Sequence, residues 1–230
     1  MKSLKGFLYA ICLLTSILIV ECAQAQGSKA DESFAKIPKP NGNEKVATFA
    51  GGCFWSLSEG LSELKGVNNV IAGYAGGTTK NPTYEDVCTR TTGHAEVVQV
   101  YYNPDVISYA VLAQAFFYAH DPTTLNRQGP DEGSDYRSIA FYRSPEEKNI
   151  LKEVIKKVNE SHHYANPVVT ELLPFTLLYP AENYHQGYYK LHMDNPYIVN
   201  VSEPKVLKLR KAMNAQIKPE FQIDEGVKKD

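Results

Sequence analysis

The stretch Val46-Ala47-Thr48-Phe49-Ala50-Gly51-Gly52-Cys53-Phe54-Trp55 decides how the chain is read. Its first half is a short apolar run suited to a buried strand, and the glycine pair breaks that run. Phe54, Leu57, Leu61 and Leu64 then recur at helical spacing and Gly66 is placed to close the element, so a helix starts near Cys53. A cysteine at a helix start faces unpaired backbone N–H groups and the positive end of the helix dipole, both of which favour thiolate over thiol. Cys53 is thereby a candidate nucleophile, with Phe54 and the single tryptophan, Trp55, supplying apolar surface beside it. A buried structural thiol is the competing reading.

Outward from this unit the pattern continues. Val67 to Ala75 is β-branched and small, and Ala95 to Tyr102 alternates until Asn103-Pro104 stops it, with a loop carrying Cys88 between them. Ser108 caps a helix whose Leu112, Ala115 and Phe116 share a face, and a polar loop follows from Asp121 to Arg137. Ile139 to Tyr142 reads as a strand. Ser144-Pro145-Glu146-Glu147 is a capping box with proline at the first helical position, and Val168 to Leu173 supplies a further strand. Strand, helix, strand, strand, helix, strand is the order of an α+β fold with a ferredoxin-like split βαβ core, here with appended helices and long loops. Residues 44–200 make one domain. Residues 201–230 form an extension, with Val206, Leu209 and Met213 on a short helix that packs on it.

The chain has 230 residues, 43% hydrophobic and 22% charged, which is ordinary globular composition. A formal charge of -2 leaves no basic surplus for phosphates and excludes a nucleic-acid partner. Four cysteines, Cys12, Cys22, Cys53 and Cys88, are too few and too scattered for a disulfide scaffold or a four-thiolate zinc site. Lys2 and Lys5, the uncharged run Phe7 to Val20, and Ala23-Gln24-Ala25 have the plan of a secretory signal peptide over residues 1–25. The expected location is therefore extracytoplasmic, a periplasm, with Cys12 and Cys22 removed. Lipid attachment at Cys22 is the alternative, and Glu21 before it fits poorly. Residues 26–43, polar and marked by Pro38, Pro40 and Gly42, read as a flexible tether.

Gly52-Cys53-Phe54-Trp55 after a short strand resembles the signature of the A class of peptide methionine sulfoxide reductases. The similarity continues in order through Asn81-Pro82-Thr83-Tyr84, Gly93-His94-Ala95-Glu96-Val97, His120-Asp121-Pro122-Thr123 and Asn126-Arg127-Gln128-Gly129. Asp131, Tyr136-Arg137-Ser138 and Ala181-Glu182-Asn183-Tyr184-His185-Gln186 extend it, with a weaker match at Asn195-Pro196-Tyr197. The resemblance implies that Cys53 attacks the sulfur of a methionine S-sulfoxide and is left as a sulfenic acid. It makes Glu96 the acid that protonates the departing oxygen, and Tyr84 and Tyr136 the hydroxyls that hold it. Asp131 matches an acidic residue near the sulfur, and Phe54 and Trp55 would enclose the S-methyl group and select the epimer. By pattern alone, Glu96 reads as the solvent-facing carboxylate of its strand, and the tyrosines as packing residues. His162-His163 reads as a polar surface pair, and no metal site is expected.

Two departures accompany the resemblance. Ser58 stands where the family commonly has a helix glutamate, with Glu59 one place later. No cysteine follows Cys88, whereas many members carry C-terminal thiols that resolve the sulfenic acid. Turnover then needs an external reductant, a thioredoxin-like protein or a small thiol, and no bound cofactor; Cys88 as resolving thiol is the alternative. The implied partners are oxidised methionine in proteins or peptides, acted on by a monomer. Two other classes compete: a cysteine hydrolase with His94 or His185 as base, and a binding module stapled by Cys53–Cys88.

Overall fold

A computed structural model describes residues 31–224. The expected signal peptide, Cys12, Cys22 and the start of the tether lie outside the described residues. The leading unit forms as β1 (Lys45–Gly51) and α1 (Phe54–Ser62), with Cys53 immediately before the helix. Between them Gly52 sits at φ +83°, and a Cβ there would come within 2.6 Å of the Gln128 side chain, so the turn requires glycine.

β2 (Val67–Ala75) keeps its expected bounds, and the expected loop after it contains a short helix, α2 (Tyr84–Cys88). Thr83 and Asp86 cap α2 reciprocally, each accepting the other's backbone N–H. β3 (Ala95–Tyr102) and α3 (Tyr109–Ala119) follow, the latter capped by Ser108. The polar loop holds a small hairpin, β4 (Arg127–Gln128) and β5 (Asp131–Glu132). β6 (Ser138–Tyr142) leads into α4 (Pro145–Glu160), then β7 (Glu171–Pro174) and β8 (Tyr179–Pro180). α5 (Tyr188–Leu191) and α6 (Glu203–Ala212) complete the order. β7 begins later than Val168 because the Val168 and Val169 N–H groups donate to Asn159 Oδ1 and the Pro122 carbonyl instead of a strand.

The main sheet runs β7-β6-β1-β3-β2-β8. β3 lies between β1 and β2 and is antiparallel to both, which is the split βαβ arrangement, while β7 adds to β6 in parallel. One face of the sheet, with Phe49, Val98 and Val100, packs under Leu57, Leu61, Leu112, Phe116 and Leu209 from three helices. The other face, with Val97, Ile139 and Phe141, is covered by Leu178 and Phe175. A central strand covered on both sides is buried along its whole length, so polar residues of β3 are inside despite its alternating pattern.

Residues 31–38 are docked, which corrects the tether reading for this part. Phe34 pairs with Glu182, the Ala35 N–H donates to the Ala181 carbonyl, and Tyr101 Oη donates to the Pro38 carbonyl. α6 is likewise part of the core, with Val206 and Leu209 fully buried.

Candidate active site

Cys53 reaches its position because β1 ends against the Gly51-Gly52 turn and α1 starts one residue later. It is 6% exposed and opens onto a cavity of about 310 Å³. The cavity is lined by Cys53, Phe54, Trp55, Tyr84, Glu96, Asp131 and Tyr136, together with Asn195 and Tyr197, and of the expected site residues only Cys88 is missing from it. The lining residues come from the start of α1, α2, β3, β5, the short 3-10 helix after β5, and Asn195 with the helical segment that runs into α6. Only the fold brings them together.

Glu96 enters from β3 and is 3% exposed, not solvent-facing. Its Oε2 accepts the Phe54 N–H at 2.9 Å, so a carboxyl from the sheet caps the first turn of α1. That bond favours the carboxylate, but burial outweighs it. With Asp135 and Asp131 adding negative charge nearby, the carboxyl is pushed up to about 8 and is protonated at neutral pH.

The expectation of a ready thiolate at Cys53 is corrected. Burial, and then Glu96 once its carboxyl is ionised, push the thiol well above its usual value, against the Trp55 backbone N–H and the Tyr197 hydroxyl that pull it down. A helix end contributes a modest stabilisation of charge, and removal from water costs more. At rest Cys53 is therefore a thiol.

Tyr84 and Tyr136 are both held well above the usual phenol range, first by burial and then by Glu96, so their hydroxyls remain donors. Tyr197, absent from the expected site, donates its hydroxyl to Asp131 Oδ2 at 2.6 Å. Lys205 Nζ, from α6, lies 3.6 Å from the same oxygen. The sequence signal for Tyr197 was the weak Asn195-Pro196-Tyr197 block, and nothing in the chain marks Lys205 as a neighbour of the site.

Trp55 stacks on Tyr188 with ring centroids 3.8 Å apart and has Tyr197 edge-on at 5.8 Å. Cys88 ends α2 on the exposed side and is not among the cavity's residues; both thiols are free, so no Cys53–Cys88 staple is present. Neither hydrolase base is available. His94 Nδ1 accepts the Gly77 N–H and its Nε2 meets the Thr79 carbonyl, while His185 Nδ1 accepts the Trp55 indole N–H. Glu59 is buried on α1 beside Lys190 at 3.7 Å, outside the Cys53 cavity. Among the described residues, no group of three or more His, Cys, Asp or Glu side chains is arranged to hold a metal.

Residues 45–217 match the family model described as peptide methionine sulfoxide reductase. A peptide methionine sulfoxide reductase MsrA of Thermus thermophilus is 47% identical over 176 residues, covering 76% of this chain and 99% of the relative. That of Sulfolobus acidocaldarius is 51% identical over 167 residues, covering 73% and 94%. Among solved structures, reduced Mxr1 of Saccharomyces cerevisiae superposes with a TM-score of 0.64 at 34% identity, covering 68% of this chain and 91% of that one. Methionine sulfoxide reductase A of Corynebacterium diphtheriae gives 0.59 at 28% identity, covering 74% and 90%. With the α+β fold, the cysteine cavity and these relatives in agreement, the chain belongs to the peptide methionine sulfoxide reductase family and is an oxidoreductase of its A class.

Proposed function

We propose that the enzyme reduces methionine S-sulfoxide, free or in extracytoplasmic proteins, by transferring the sulfoxide oxygen to Cys53. The observation that carries this reading is the pairing, in one small cavity, of a buried thiol with a carboxylic acid that stays protonated at neutral pH. A sulfoxide oxygen accepts hydrogen bonds well but leaves poorly, so a proton source is what the reaction lacks in water. Glu96 supplies that proton, and Tyr84 and Tyr136 hold the oxygen as charge develops. Phe54 and Trp55 receive the methyl group, which sets the sulfur face presented to Cys53.

In the first step the Cys53 sulfur bonds to the substrate sulfur while Glu96 protonates the sulfoxide oxygen, and the proton that the Cys53 thiol loses restores the Glu96 carboxyl. The hydroxyl then passes to Cys53 as the substrate S–O bond and the transient S–S bond both break, giving methionine and a Cys53 sulfenic acid; the substrate gains the two electrons that Cys53 loses. In the second step an external thiol attacks the sulfenic acid and water leaves. A second thiol then releases the resulting disulfide. The reductant is a thioredoxin-like protein or a small thiol, and the first 25 residues direct the enzyme out of the cytoplasm.

Methionine S- and R-sulfoxide supplied with dithiothreitol test the reading. The S epimer is reduced and the R epimer is not, and Cys53→Ser abolishes the activity. Equal reduction of both epimers, or activity that survives in Cys53→Ser, would overturn it.

A further inference from the structure

We propose that His185 is a positioning residue whose acceptance of the Trp55 indole N–H fixes the apolar wall against which the substrate's S-methyl group rests. The inference depends on the reading of Trp55 as a wall of the sulfoxide site. The Nε1–H of Trp55 donates to His185 Nδ1 at 3.1 Å, which assigns the tautomer: Nδ1 accepts and the proton sits on Nε2. His185 is 2% exposed, and burial lowers its proton affinity to about 4, so the ring stays a neutral acceptor under physiological conditions.

Geometry gives this bond a task that packing does not perform. Trp55 lies nearly parallel on Tyr188, at 10°, and a parallel stack resists tilting of the indole but permits sliding and rotation in the ring plane. A hydrogen bond is directional and removes that freedom. The acceptor is itself immobile: the imidazole packs against Phe54 at 4.8 Å, Tyr84 at 4.6 Å and Tyr184 at 4.0 Å between centroids. One ring thus touches three residues of the cavity, Phe54, Trp55 and Tyr84.

Behind it, Glu182 ties the same assembly to the sheet and to α2. Its Oε2 accepts the Tyr74 hydroxyl and its Oε1 accepts the Tyr84 N–H, both at 2.9 Å. His185 Nε2 is buried without a hydrogen-bond partner, 3.8 Å from Glu182 Oε2. The imidazole therefore has one strong directional bond, the one to Trp55. The two sulfoxide epimers differ in which of methyl and oxygen meets the wall, so a displaced indole relaxes the choice between them.

The chain's single tryptophan makes the test direct, because Trp55 gives the only indole N–H resonance in a proton NMR spectrum of the full chain. In His185→Leu that resonance moves upfield. KM for methionine S-sulfoxide rises roughly tenfold, the scale of one lost hydrogen bond. The preference for the S epimer falls, and kcat changes far less than KM. His185→Asn, whose Oδ1 takes the place of Nδ1, restores the resonance and KM.

An unmoved resonance in His185→Leu overturns the bond, and a moved resonance with unchanged KM and epimer preference overturns the positioning role. The two readings fail separately. Absence of sulfoxide reduction by the unaltered protein refutes the proposed function, whereas the resonance judges the His185 bond whatever the activity.

Discussion

Glu96 carries the most consequential single-residue balance in the molecule. Its carboxyl is pushed up to about 8 by burial; in the proposed mechanism it donates only while protonated, so the rate of the first step is expected to hold at lower pH and to fall as pH rises through about 8. Glu96→Gln keeps the shape and removes the proton: single-turnover reduction at pH 7 slows by roughly 10²- to 10⁴-fold. Stability falls with pH as well, over a lower window. Between the ordinary value of 4.5 and about 8 the native protein keeps a proton that the unfolded chain has released, so stability falls as pH rises through that window. Glu96→Gln has no such dependence and melts at a higher temperature than the unaltered protein at pH 8, which a pair of thermal scans checks. The strand pattern around Glu96 was legible, but its burial was not, because alternation along β3 carries no information about the helices and the 175–178 segment that cover its two faces. Cys53 was misread for the same reason. A helix-end rule counts the local backbone, whereas what keeps the thiol protonated, burial first, comes from the tertiary fold.

The elements themselves were largely readable, and the exceptions have identifiable causes. β2, β3 and α3 follow from periodicity and from signals local to them, Asn103-Pro104 and Ser108. α2 was missed although Thr83 and Asp86 mark its start, since five residues are too few for helical periodicity to emerge. α6 was expected from Val206, Leu209 and Met213, but a periodic apolar face does not reveal its polar anchor. Arg210 donates to both oxygens of the fully buried Glu63 carboxylate, at 2.7 and 2.6 Å, and so locks α6 to the end of α1 just after Ser62. Removing one partner of a buried pair leaves an uncompensated charge. Arg210→Met therefore destabilises the protein by about 3 kcal/mol, a drop of roughly 6–12 °C in melting temperature for a domain of this size. The double variant Arg210→Met with Glu63→Leu recovers most of that loss, since the desolvated carboxylate is gone. Calorimetry on the three proteins checks the ordering.

At the scale of the whole molecule the question is how the oxidised enzyme is renewed. The described residues contain two thiols, Cys53 buried at the cavity and Cys88 exposed at the end of α2. The C-terminal segment contributes no thiol; it contributes Tyr197 and Lys205, which converge on Asp131 instead. Nothing in the chain order distinguishes a tail that resolves a sulfenic acid from one that orders an active-site carboxylate, except the absence of cysteine after Cys88. A cycle with one protein thiol makes a numerical prediction. One equivalent of methionine S-sulfoxide, added without reductant to the protein lacking residues 1–25, consumes one free thiol per chain, and mass mapping places the added oxygen on Cys53. Cys88→Ser then turns over with dithiothreitol at the rate of the unaltered protein. A loss of both thiols, with a Cys53–Cys88 disulfide in the digest, would instead assign the second step to Cys88.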